Sequence, residues 1–100
     1  MFGTIGRGTI KAGQEGALRA LLADWRREVR PLVPGAFLEL NGHHAADPRE
    51  MVVVALARDE AAYRHLAGLP EQHAWYLRLV DCLESPPTWE DVRLDIGVND

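Results

Sequence analysis

The run Met51–Ala57, Met-Val-Val-Val-Ala-Leu-Ala, constrains this chain more than any other segment. Read as a strand, it sends alternate side chains to opposite faces: Met51, Val53, Ala55 and Ala57 to one, Val52, Val54 and Leu56 to the other. Both faces are apolar, and such a strand has to be covered twice. The helical patterns in the rest of the chain suffice for one cover. The second is expected to be another copy of the same protein, with the C-terminal tail of the same subunit as the alternative.

A chain of 100 residues makes one domain over positions 1–100, small enough for oligomerisation to help its core. No stretch approaches the roughly 20 apolar residues of a membrane span, so no membrane association is expected. The opening Met1-Phe2-Gly3-Thr4 lacks the basic and apolar regions of a signal peptide, which makes a cytoplasmic location the expectation. A net charge of −4 with mixed signs argues against nucleic acid as a partner. Cys82 is the single cysteine, leaving no internal disulfide and no cysteine-based zinc site.

Along the chain, residues 2–11 read as a strand whose three glycines suit the close approach of another backbone or of a ligand. After Gly13, Ala17, Leu18, Leu21, Leu22, Trp25 and Val29 recur at helical spacing, and Pro31 stops that helix. Residues 36–44 form a second strand, and residues 45–49, with Asp47-Pro48, connect it to a third over 50–58. Asp59 is placed to cap a helix that runs from Glu60 to about Leu66. Gly68-Leu69-Pro70 breaks it, and a further helix carries Trp75, Tyr76, Leu79, Val80 and Leu83 to about Glu84. Thr88 to Gly97 is the last strand. The order β-α-β-β-α-β predicts an α+β, ferredoxin-like fold with a four-stranded antiparallel sheet, helices on one face and a homodimer through the other.

The segments Gly3-Thr4-Ile5-Gly6-Arg7 and Ile10-Lys11-Ala12-Gly13-Gln14-Glu15, then Trp25, Pro34-Gly35, Tyr63, Pro70-Glu71-Gln72-His73-Ala74-Trp75-Tyr76 and Trp89-Glu90-Asp91, together resemble the antibiotic-biosynthesis-monooxygenase-like proteins. The resemblance spans nearly the whole chain in short, scattered motifs. It implies a dimeric α/β barrel with a pocket between helices and sheet for a flat aromatic or haem-like molecule. Some such proteins oxidise phenols of polyketide type with O₂ and neither metal nor flavin, so no cofactor is expected. Others degrade haem, and there this chain departs: its first strand has no Asn, and Tyr63 stands where that branch has Trp.

His73 and Tyr76 are the candidate catalytic pair, since residues three apart share a helix face. An imidazole, with an ordinary pKa of about 6.5, is suited to take a proton from a phenolic substrate. The resulting anion can pass an electron to O₂. The alternative is structural, with Trp75 and Tyr76 as core and His73 at the solvent edge. Candidate substrate-binding residues are Trp25, Tyr63, Trp75, Arg7 and His43. Arg7 has a second reading, as half of an ion pair across the dimer. His43-His44 cannot both face one metal ion on a strand, and the four histidines make no H-x-H or H-x-x-x-H pair, so no metal site is expected.

Overall fold

The computed structural model describes residues 1–99. Its elements are β1 (Phe2–Thr9), α1 (Glu15–Glu28), β2 (Phe37–His44), β3 (Asp47–Ala57), α2 (Glu60–Ala67), α3 (Pro70–Asp81) and β4 (Thr88–Arg93). The four strands pair antiparallel in the order β2-β3-β1-β4, the ferredoxin-like arrangement, with the second helical region split into α2 and α3.

The local chemistry explains the boundaries. Gly13, at a φ of 82°, makes the turn into α1 that a side chain would strain. Pro31 lies in a 3-10 turn over Arg30–Leu32, which tightens the end of the helix instead of simply stopping it. The Asp59 carboxylate accepts from the Ala62 N–H at 2.8 Å and caps α2. Several expected boundaries change: β1 ends at Thr9, short of residue 11, and α3 at Asp81, short of Glu84. β3 begins at Asp47, so only Ala45 and Ala46 separate it from β2. Pro48 is tolerated because β1 ends opposite Glu50 and because residues 48–50 fall in the register shift between His43 and His44, where β2 offers them no paired partner. β4 ends at Arg93, and residues 94–99 do not continue the strand to Gly97.

Residues opposite each other in an antiparallel pair share a face, so the register divides the sheet cleanly. Met51, Val53, Ala55 and Ala57 lie on the helix side in rows with Gly8, Gly6, Thr4 and Phe2. Met51 joins Leu18, Leu21, Trp25, Val29, Leu66, Trp75 and Leu79 in the buried core. α1 and α3 are bound together by the Trp75 indole N–H, which donates to the Leu21 carbonyl at 2.7 Å, and by Arg78, which reaches Asp24 at 2.5 Å. Arg78 first, and Arg27 beside it, hold the Asp24 carboxyl below its usual range.

The other face carries the row Ile5, Val54, Leu40 and the row Leu56, Leu38, Val92. Leu56 is buried, whereas Leu40 is 57% exposed. Arg7 and Glu90 are the charged residues flanking this patch on β1 and β4, diagonal to each other in the register.

Candidate functional site

A slot runs between the helices and the sheet. Its inner part is a cavity of about 70 Å³ with a floor of Thr4, Val53 and Ala55. Small side chains there leave room above the sheet. Leu22 and Trp25 of α1, Leu66 of α2 and Trp75 of α3 form the roof, and Phe37, Glu39 and Asn41 close the β2 side. Trp25 and Phe37 lie 5.1 Å apart between ring centroids. The two rings pack on each other in a tilted geometry and make this side of the cavity aromatic.

Thr4, Gln72 and Trp89 also line a neighbouring outer depression of about 320 Å³, which is completed by Tyr63, Ala67, His73 and Tyr76. Trp89 can lie here because Gly6 is directly opposite it on β1: a Cβ at Gly6 would stand 2.3 Å from the Trp89 ring. The glycine-rich first strand thus admits an indole, a side chain where its composition predicts the approach of a backbone or a ligand. At the other end, Leu22, Asn41 and Val53 are shared with a second depression of about 320 Å³ that His43, Glu15 and Arg19 border. The inner cavity thus has a depression on either side of it.

The predicted residues distribute unevenly over this slot. His73 and Tyr76 lie side by side at the outer mouth, as their spacing requires, with His73 exposed and Tyr76 half-buried 6.4 Å from Trp89. Trp25 and Trp75 are inner walls, and Trp75 is also core. Tyr63 reaches the mouth from α2. His43 is at the far end, in the other depression. Arg7 is corrected as a pocket residue: it is opposite Val52 on the outer face of the sheet, away from the slot. The alternation of β1 puts Thr4 and Gly6 toward the helices and therefore turns Arg7 outward. Gln72, Thr4 and Asn41 line the slot without a chemical pattern in the sequence marking them for it, and so does Trp89, which by its place after Pro86-Pro87 reads as an anchor of the last strand. Gln72 was within reach, since positions 72, 75, 76 and 79 make one helical stripe. Trp89 required the register of β4 on β1. Among the described residues, no three His, Cys, Asp or Glu side chains come together as a metal site.

Tyr63 is the mouth residue whose electrostatics are most altered. Its hydroxyl donates to the Asp91 carboxylate at 3.1 Å and its ring meets Phe2 edge-on. Burial first, and then Asp91, push its pKa above the ordinary tyrosine value. The group keeps its proton more tightly folded than unfolded, so its contribution to stability is complete below about pH 10 and is lost as pH rises through the folded pKa. Asp91→Asn is expected to move the phenol titration, followed by ultraviolet absorbance, down toward the ordinary value. No movement would mean that Asp91 does not govern Tyr63.

With this geometry in hand, solved structures give clear counterparts. A putative antibiotic biosynthesis monooxygenase from Caulobacter crescentus superimposes with a TM-score of 0.79 at 14% identity, over 95% of this chain and 90% of that one. One of the same description from Deinococcus radiodurans gives 0.78 at 17% identity, over 100% and 98%. A Nitrosomonas europaea protein of unknown function gives 0.71 at 26% identity, over 97% and 91%. The fold is that of the antibiotic-biosynthesis-monooxygenase-like proteins. No family sequence profile matches the chain, and no curated protein does so at a significant level. The monooxygenase-like fold is thus carried by three-dimensional likeness. No helix among the described residues is long and apolar enough to cross a membrane.

Proposed function

We propose that this chain is a monooxygenase-like protein that binds a small flat aromatic metabolite in the slot and oxidises it with O₂, without a bound cofactor. The observation that carries the proposal is the slot itself: an aromatic roof over a floor of small side chains, with an imidazole and a phenol at its mouth. His73 takes a proton from an activated ring CH₂ or its enol, and the anion passes one electron to O₂. Superoxide recombines at the ring carbon, and the protonated peroxide loses water. The balance is CH₂ + O₂ → C=O + H₂O, with O₂ as the sole oxidant.

Oxygen uptake with anthrone as substrate tests this reading. Wild-type turnover is expected, falling about 100-fold or more in His73→Ala, the usual scale for loss of a general base. Turnover unchanged in the variant would remove His73 from the mechanism. A second reading, a binding or accessory protein without catalysis, is favoured by the exposure of His73 to solvent. It predicts anthrone binding with no oxygen uptake.

The working unit is proposed to be a homodimer through the outer face of the sheet. Val54 and Ile5 are already half-buried, so a partner sheet would gain at each only part of the roughly 1.5–3 kcal/mol of a full burial, and more at exposed Leu40. Arg7 and Glu90 have no ion-pair partner within the protomer among the described residues. In a two-fold interface each would meet the other's counterpart.

A further inference from the structure

We propose that Gln72 orients the ligand, its amide NH₂ donating to a carbonyl or phenolate oxygen on the bound aromatic. This rests on reading the slot as an aromatic-binding site. The indole N–H of buried Trp25 stands 2.7 Å from Gln72 Oε1. An indole N–H is only ever a donor, so the amide oxygen must face it, and the orientation of the amide follows from chemistry alone.

The NH₂ group, with its two donors, is thereby turned away from Trp25. It has no acceptor among the described residues, where Gln72 takes part in no other side-chain hydrogen bond. Gln72 is half-buried and lines both the inner cavity and the outer depression, so the free donors sit at the junction between them. The Trp25 bond holds the side chain in place before any ligand arrives, which lowers the ordering cost of using it.

The consequence is selectivity by penalty. A flat ring seated in the outer depression covers this NH₂ and shuts it off from solvent. A ring with an acceptor oxygen gives the donors a hydrogen bond, whereas a bare hydrocarbon leaves them unpaired. The oxygen is therefore held at Gln72, and the ring lies in the outer depression toward His73 and Tyr76.

The test uses 1-tetralone and tetralin, which differ at one position, C=O against CH₂, titrated at pH 8 and followed by quenching of tryptophan emission. Wild type is expected to bind the ketone about tenfold or more tighter than the hydrocarbon. Gln72→Glu keeps an acceptor for Trp25 but replaces the donors with a carboxylate oxygen. It is expected to lose tenfold or more for 1-tetralone while tetralin changes less than twofold. Equal binding of the two probes by wild type overturns the assignment without recourse to any variant, as does a probe ratio unaltered in Gln72→Glu. Binding of neither probe by wild type overturns the aromatic-slot reading itself, and this assignment with it.

Discussion

Trp75→Ala is expected to destabilise the protein by about 3–5 kcal/mol, the range for removing a large buried aromatic. Total stability for a domain of this size is of order 5–15 kcal/mol, so chemical denaturation should show a large loss or outright unfolding. The reason is position. Trp75 is 8% exposed, its indole N–H is bonded to the Leu21 carbonyl, and it contributes to both the core and the roof of the slot. Trp75→Phe keeps a ring but gives up the hydrogen bond and part of the volume, and should cost clearly less. If Trp75→Ala cost under about 1 kcal/mol, the seam between α1 and α3 would not be what holds the roof in place.

Val54→Asp is expected to convert the proposed dimer to a monomer, read by light scattering as a fall from about twice the 11.1 kDa chain mass to the chain mass. Val54 sits mid-row between Ile5 and Leu40, at the centre of the outer sheet face. A two-fold interface contains every substituted position twice, so the change would desolvate two unpaired carboxylates. Arg7→Glu should weaken the dimer and the double exchange with Glu90→Arg should recover it. A Val54→Asp protein that keeps the doubled mass would place the interface elsewhere.

Much of the architecture is legible in the chain because periodicity and punctuation agree. The stripe from Leu18 to Val29 announces α1, and Asp59 and Pro70 mark the starts of α2 and α3. Other features depend on pairings between distant positions. Since both faces of Met51–Ala57 are apolar, the run alone does not say which face meets the helices, and so the direction of Arg7 was open. Asp47-Pro48 reads as a turn, yet at the end of a strand lacking one neighbour it continues the sheet. The seating of Trp89 over Gly6 joins residues 83 positions apart and leaves no local pattern. Gln72 stood beside recognised aromatics, but its polarity hid it among them until Trp25 revealed which way its amide points.

The volume of the inner cavity carries a consequence for recognition. At about 70 Å³ it holds less than half of the roughly 150 Å³ that a dry cavity offers a single benzene ring. A guest ring therefore rests in the outer depression, and the inner cavity receives only a substituent of it. Ring systems with a small projecting group should then be told apart from those with a bulky one by a keyhole beneath the ring, not by the size of the ring itself.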